Sequence, residues 1–252
     1  MLQTRSQEKI RGEIELPIRY QEANVMAATF AVPSLPLTER TPGPLRLIEL
    51  LPGWAPLTVI CFDYRETSIG PYGEIGVGWP VVDSMAPAPP LLPVLLEDHW
   101  PGLGFWVQHL PVTTERARDA GCSIWGYPKI VAGIEFGWEG AMRTCSLQVE
   151  GARTLELRVD TRMRARRHAM RLRTFSALNA ELIETVTEVD AVGLRHPSLR
   201  GATLELGADP MGRQLAALGF EGARLVQTRW FPVWRAVLPA GQPRGPVGPP
   251  KR

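Results

Sequence analysis

The sequence predicts a mainly β domain of antiparallel strands with one or two short helices. Short segments rich in Val, Ile, Thr and aromatic residues alternate with Gly, Pro or Asp, which is typical of strands joined by turns. These segments are residues 24–32, 57–64, 74–82, 104–112, 129–138, 143–150, 153–160, 201–207 and 223–230. The 44 % hydrophobic content supplies a sizeable core. Because β sandwiches and barrels reach this length as one domain, we expect a single domain over 1–238.

One hairpin and one helix have clear local signals in the middle of the chain. Residues 143–160 contain two strand-like runs with a turn at Glu150–Gly151–Ala152, which predicts a β-hairpin. Residues 113–121 begin with a threonine cap, carry Glu115 in the first turn and reach Gly121, where we expect the helix to stop.

A second helix and a tail are predicted towards the C-terminus. Residues 208–219 have Asp209 as N-cap, Pro210 at the first helical position and Gly219 beyond the end, an arrangement that favours a helix. The following segment, 239–252, is rich in proline and glycine and has too few apolar side chains to build a core. We therefore expect this tail to be disordered.

The composition argues against several partners and cofactors. A formal net charge of +2 is too small to indicate a nucleic-acid partner. Cys61, Cys122 and Cys145 are far apart without a CxxC pair, and the histidines lack metal-ligand spacing, so we expect no disulfide framework, metal or cofactor. Residues 1–16 are polar, and no uncharged apolar run reaches the ~18 residues of a membrane span. The expected location is cytoplasmic, without membrane association.

The densest charge lies in residues 162–173. Arg162, Arg164 and Arg166 alternate as on one face of a strand, and the pattern resumes at Arg171. A strip that binds an anionic ligand or nucleic acid is one interpretation. The other is a solvated strand face, or one paired with acids of a neighbouring strand or subunit. We favour the second interpretation because no aromatic platform for stacking bases accompanies the arginines.

The chain has three lysines, and one of them lies in an apolar segment. Lys9 and Lys251 are close to the termini, whereas Lys129 lies in the middle of the chain. Its neighbours in sequence are Trp125, Tyr127, Pro128 and Ile130. An arginine cannot deprotonate to attack a carbonyl, but a neutral lysine can, and it then forms a Schiff base. Holding an amine neutral by burial costs on the order of 5 kcal/mol. The alternative is that Lys129 extends to water, as lone lysines beside strands usually do.

The segment IWGYPKI, residues 124–130, resembles the Tyr-Pro-Lys motif of the acetoacetate decarboxylase family. Residues 41–47, 66–81 and 201–241 resemble further segments of that family, and its active-site glutamate falls on Glu74. The resemblance implies a cone-shaped antiparallel β-barrel that encloses the site. It also implies that Lys129 forms the Schiff base and that the protein assembles as a homo-oligomer.

The sequence departs from that family at several polar positions. Ile130 replaces the second lysine that usually follows the Schiff-base lysine, so no adjacent cation assists it. The family's first-strand arginine falls near Ala23, and Arg19 is the nearest candidate. A glutamate is missing near Val59 or Ile60, and an arginine–glutamate pair is replaced by Cys122 and Ser123.

These features suggest a Schiff-base lyase that acts on a small oxo acid. Lys129 is the nucleophile, Glu74 positions water or moves protons, and Trp125, Tyr127 and Ile130 surround the amine as substrate-binding residues. An aldolase or dehydratase that uses the same lysine imine is an alternative, because the surrounding groups decide which bond breaks. A second alternative is a barrel that binds a small carbonyl compound or an apolar acid without catalysis.

Overall fold

Strands dominate the computed structural model, which describes residues 14–85, 102–162, 166–197 and 200–249. The strands are β1 Ile18–Pro33, β2 Leu45–Leu47, β3 Trp54–Thr67, β4 Tyr72–Asp83, β5 Gly104–His109, β6 Gly133–Glu139, β7 Met142–Val149, β8 Ala152–Asp160, β9 Arg166–Leu178, β10 Glu181–Pro197, β11 Ala202–Leu206, β12 Arg224–Leu238 and β13 Gln242–Pro246. The helices are α1 Leu35–Thr38, α2 Glu115–Ala120 and α3 Pro210–Leu215, and π-helical turns at Gly121–Trp125 and Ala216–Phe220 extend α2 and α3.

Seven strands form a closed barrel. Strands β12, β1, β3, β4, β5, β9 and β10 pair in this order, and β10 pairs back with β12. The pairs are antiparallel except for β5 and β9, which run parallel where Phe105 lies opposite Thr174. The predicted mainly β fold with an antiparallel barrel and short helices is therefore confirmed. No helix in the described ranges is long and apolar enough to cross a membrane.

A second sheet covers part of the barrel's outer surface. It has the order β11, β8, β7, β6, and its inner residues Cys145, Leu147 and Leu157 pack in one core with side chains of β3 and β4. The hairpin between β7 and β8 turns at Glu150 and Gly151, whose φ angles are 51° and 79°. This confirms the predicted hairpin, because two positive φ angles match a tight turn between twisted strands.

Strands β3 and β4 are buried on both faces. Odd-numbered residues of these strands, such as Val59 and Val77, belong to the core shared with the second sheet. Even-numbered residues, such as Phe62 and Glu74, line a cavity inside the barrel. Since side chains alternate between the two faces of a strand, one pair of strands separates a packed core from a hollow interior.

The structure adds a turn after one predicted helix and differs from the sequence prediction in the tail. Helix α2 ends at Ala120 with Gly121 as its C-cap, as predicted, but Gly121 keeps a helical φ of −62° and a π-helical turn continues to Gly126, whose φ of 68° ends it. In the tail, residues 242–246 form β13 against β10, whereas the composition predicts disorder. An open strand edge supplies these residues with backbone partners that sequence composition cannot reveal.

Candidate active site

Lys129 and Glu74 form a buried ion pair. Lys129 Nζ donates to Glu74 Oε2 at 2.6 Å, and the two side chains are only 6 % and 9 % exposed. The Nζ atom also lies 5.6 Å from the centre of the Tyr72 ring. The structure thus brings together the two residues that the sequence suggests as catalytic. Burying two charges away from water is costly, and the direct hydrogen bond from Nζ to the carboxylate offsets part of that cost. The bond also gives a proton on Nζ an acceptor within reach.

Backbone pairing around Val112 places these two side chains next to each other. Val112 forms one bridge to Glu74 of β4 and another to Val131, which follows the lysine motif. Val112 N donates to the Ile130 carbonyl at 2.9 Å, and Ala132 N donates to the Val112 carbonyl at 2.9 Å. The segment that carries Lys129 is therefore fixed to the edge of β4, although Lys129 is not itself in a strand.

Two glycines allow the lysine motif to take this path. Gly126 has a positive φ, and a Cβ there would overlap the Ala177 carbonyl of β9. A Cβ on Gly121 would overlap Cδ and Cε of Lys129. Gly121 therefore leaves room for the lysine side chain in addition to being the C-cap of α2, a role that its position in the sequence does not indicate.

Buried tyrosines surround the carboxylate of Glu74. The Tyr20 and Tyr72 hydroxyls are 3.2 Å apart, and the Tyr64 ring lies between them, with ring centres 4.4 Å from Tyr20 and 4.8 Å from Tyr72. Burial raises the pKa of all three phenols, and the negative charge of Glu74 raises each pKa further. These hydroxyls stay protonated, so they present neutral hydrogen-bond donors around the ion pair.

The three suggested substrate-binding residues take different positions. Tyr127 lines the cavity, its hydroxyl lies 2.7 Å from Thr174 Oγ1, and burial raises its pKa to about 12. Trp125 is buried behind this wall, where its indole donates to the Pro239 carbonyl at 2.8 Å. Ile130 is 37 % exposed and lies outside the cavity. Only Tyr127 of this group lines the hollow, since Trp125 belongs to the π-helical turn that ends before Gly126 and Ile130 faces outward.

The cavity holds about 120 Å³ and has mostly apolar walls. Along β4, Glu74 is followed by Gly76 and Gly78, so that backbone forms much of this wall beside Val77. Apolar lining residues include Ile60, Phe62, Phe105, Val107, Leu110 and Leu172. A small molecule can occupy this space beside Lys129 with little water.

Arg229 is a cavity residue that the sequence analysis missed. It lies on β12, is 7 % exposed and lines the same hollow as Lys129. Its Nε donates to Gln227 Oε1 at 2.7 Å. Arg19, the nearest candidate for the family's arginine, is exposed. An arginine directly followed by Trp230 and Phe231 at the end of a predicted strand was the available signal.

The arginine-rich segment pairs with neighbouring acids. Arg162 contacts Asp160 at 2.7 Å, Arg167 contacts Asp190 of β10 at 2.8 Å, and Arg173 contacts Glu184 of β10. Arg164 lies outside the described residues. The pairing agrees with the favoured interpretation of this segment. No group of three or more His, Cys, Asp or Glu side chains in the described ranges is arranged to hold a metal ion.

The structure combines a closed seven-stranded barrel with a buried lysine–carboxylate pair inside it. The family model for acetoacetate decarboxylase matches residues 12–219. The chain is a member of the acetoacetate decarboxylase family. A comparison with curated proteins gives no match.

Solved structures share the fold at low sequence identity. Acetoacetate decarboxylase from Legionella pneumophila subsp. pneumophila str. Philadelphia 1 is 14 % identical, with a TM-score of 0.68 over 91 % of this chain and 88 % of that chain. An acetoacetate decarboxylase-like enzyme from Sphingomonas wittichii RW1 is 14 % identical, with a TM-score of 0.60 over 93 % and 95 %. The enduracididine biosynthesis enzyme MppR is 13 % identical, with a TM-score of 0.59 over 92 % and 89 %. Members of the family whose model matches this chain, acetoacetate decarboxylases and related proteins, are enzymes, whereas the likenesses to these solved structures carry the fold alone.

Proposed function

We propose that this protein is an enzyme that forms a Schiff base between Lys129 and the carbonyl group of a small oxo acid. The buried contact between Lys129 Nζ and Glu74 Oε2 at 2.6 Å is the observation that supports it most directly. A lysine in a dry cavity can become a neutral nucleophile if a neighbouring group takes its proton. Glu74 is that group.

The covalent step follows from this proton transfer. The Lys129 ammonium gives one proton to Glu74, and the neutral amine attacks the carbonyl carbon to form a C–N bond. The resulting carbinolamine loses its hydroxyl as water, with a proton returned by Glu74, and a protonated imine remains. Glu74 is then an anion again beside the positive imine, so charge is conserved through the cycle.

Decarboxylation is the preferred next step for a 3-oxo acid. The bond to the carboxylate breaks, its electron pair moves towards the iminium nitrogen, and CO2 leaves a neutral enamine. The negative carboxylate and the positive iminium nitrogen both become neutral in this step. The apolar walls of the cavity therefore favour the products over the charged ground state. Water then gives a proton to the enamine carbon, and the hydroxide that is left attacks the resulting imine, so that the ketone leaves and the Lys129 amine is regenerated. Glu74 and the protonated hydroxyls of Tyr20 and Tyr72 can position this water.

An aldolase or dehydratase reaction is the second candidate. A structure of MppR holds the condensation product of pyruvate and imidazole 4-carboxaldehyde, so that relative of the fold binds a product of carbon–carbon condensation. In the present chain, Ile130 stands where a second lysine is expected, and Arg229 adds a cation from another strand. A changed polar shell around the same lysine is what a change of reaction requires.

Borohydride trapping tests the proposal. The protein is incubated with acetoacetate, pyruvate and longer oxo acids, reduced, and analysed by peptide mass while CO2 is measured. We expect one adduct, on Lys129, with Lys9 and Lys251 of the same chain as unmodified internal controls. Lys129→Arg keeps the cation but cannot form an imine, so its adduct should be absent.

The outcomes separate the candidate functions. An adduct with CO2 release supports the decarboxylase, and an adduct without CO2 supports aldol or dehydration chemistry. Binding of an oxo acid without any adduct would identify a binding protein and refute the proposed enzyme. Modification of Lys9 or Lys251 at the same rate as Lys129 would show unselective chemistry and would also refute it.

A further inference from the structure

A second, smaller hollow adjoins the cavity that contains Lys129. It holds about 40 Å³, enough for a group the size of a carboxylate. The two hollows share part of their walls, so that they are neighbours inside the barrel. The shared residues are Ile60, Phe105, Leu172, Arg229 and Trp234.

Three arginines line this second hollow at increasing depth. Arg171 is exposed, the Arg173 side chain is 25 % exposed, and Arg229 is 7 % exposed. Glu184 pairs with Arg173, and Glu188 lies opposite Arg171 on β10. Burial, then the positive charges of Arg244 and Arg171, lower the pKa of Arg173. Glu184 and Glu188 offset part of this charge, but the three arginines outnumber the two acids, so the hollow keeps a net positive charge that attracts anions.

Strand register places Arg229 across the barrel from Glu74. Strand β12 is separated from β4 by three pairings in one direction around the ring and four in the other, so the two strands form opposite walls. Strand pairing connects Arg229 to Gly76 in one row across the sheet, because Arg229 pairs with Ala27, Ala27 with Ile60 and Ile60 with Gly76. In the same way, Glu74 lies in one row with Phe231. One two-residue step, about 6.6 Å, separates these rows along the strands. A Cβ on Gly76 would lie 2.9 Å from Ile60 Cγ2, so a larger residue there would displace a side chain that lines both hollows.

We propose that Arg229, with the hollow lined by Arg171 and Arg173, binds a carboxylate that the substrate keeps during the reaction. This inference rests on the proposed function and specifies its substrate: an oxo acid held at its carbonyl by Lys129 and at a carboxylate by Arg229. An ion pair to a carboxylate that leaves as CO2 would stabilise the ground state and be lost in the transition state, which slows the reaction. The carboxylate at Arg229 is therefore the retained one, and a substrate that is decarboxylated carries a second carboxylate.

A matched acid and ester test this subsite. Borohydride trapping on Lys129 is titrated with 4-oxopentanoate and with its methyl ester, which has the same carbonyl but no charge. In the natural protein the acid should half-saturate trapping at a lower concentration than the ester. The quantity compared is the half-saturating concentration of the acid divided by that of the ester. Arg229→Gln should raise this ratio by about tenfold to a hundredfold, the range for the loss of a charge-assisted hydrogen bond. Arg171→Gln should raise it about twofold, with an effect that high salt removes.

Controls separate the subsite from folding and from the chemistry. Arg224→Gln removes an exposed arginine of the same strand and should leave the ratio unchanged. Because Arg229 is buried, a second measurement uses the natural protein: pentanoate should compete with trapping, and pentanamide should not. An unchanged ratio in Arg229→Gln, or equal competition by both compounds, would overturn the subsite while leaving the lysine chemistry intact. Absence of any adduct from acid and ester would overturn the proposed function instead.

Discussion

The two faces of β3 and β4 differ sharply in what fills them. The outer face carries Val59, Cys61 and Ile75, which belong to one buried core with Cys145 and Leu157 of the second sheet. The inner face carries Glu74 and two glycines beside a hollow. The same two strands therefore stabilise the fold on one side and leave space for a ligand on the other.

This difference separates changes in stability from changes in chemistry. Substitutions on the outer face should alter the free energy of unfolding without affecting Lys129. Substitutions on the inner face should alter the lysine, and they lower stability only where they leave a buried charge without its partner.

Lys129→Met gives the largest expected effect and tests the inner face. Adduct formation should disappear, because the nucleophile is gone. The variant also leaves Glu74 buried without its cation, so the free energy of unfolding should fall by about 3–5 kcal/mol. Urea unfolding and peptide mass measure the two effects.

A double variant provides the control for this prediction. In Lys129→Met/Glu74→Gln the remaining carboxylate is removed, and most of the lost stability should return while trapping stays absent. If the double variant is as unstable as the single one, the pair is not the source of the instability.

Leu157→Ala tests the outer face. Leu157 is fully buried between the second sheet and the barrel. Truncation should lower the free energy of unfolding by about 2–5 kcal/mol through lost burial and a residual cavity. Trapping on Lys129 should stay unchanged at temperatures where the variant is folded. A parallel loss of trapping by folded protein would show that the two faces are coupled.

Gly121→Ala should change the chemistry with little change in stability. Gly121 has a helical φ, so alanine is compatible with the backbone, but the new methyl group displaces the Lys129 side chain. A displacement of about 1 Å can lower a rate about a hundredfold, and we expect that loss in the rate of adduct formation. Gly133→Ala is the matched control, because the nearest atom to its new methyl group is 3.6 Å away. Equal rates in the two variants would contradict the assigned role of Gly121.

The pH dependence of stability gives the smallest expected effect. Burial raises the pKa of Tyr127 to about 12 from an ordinary value of 10.0. Between these values the unfolded chain loses a proton that the folded protein keeps, so stability falls as pH rises through this window. The contribution of Tyr127 is about 3 kcal/mol, and it is fully present below pH ~10. Tyr127→Phe should lose less stability than the natural protein between pH 10 and 12 in urea titrations. An identical slope would show that Tyr127 ionises equally in both states.

Local features of the structure could be predicted from the sequence. Asp209 accepts from the backbone N–H groups of Met211 and Gly212, as its N-cap position indicates. Lys129 could be singled out because an isolated lysine among aromatic residues is unusual. Such features depend on neighbours within a few residues, whose identities the sequence states directly.

Strands β9 and β10 and the C-terminal β13 were harder to predict. Arg167 and Arg173 make β9 polar, and they pair with Asp190 and Glu184 on the neighbouring strand. These pairs join residues that are far apart in sequence. Alternation of apolar residues therefore could not identify the strands that close the barrel.

The sequence alone determined the mainly β fold, the helix caps and the lysine as a candidate nucleophile, because periodicity and local chemistry are properties of short segments. Only the tertiary structure decided that Glu74 meets Lys129, that Arg229 faces them from the opposite wall, and that Trp125 and Ile130 lie outside the cavity. Those placements follow from strand register and barrel closure, which join residues separated by much of the chain.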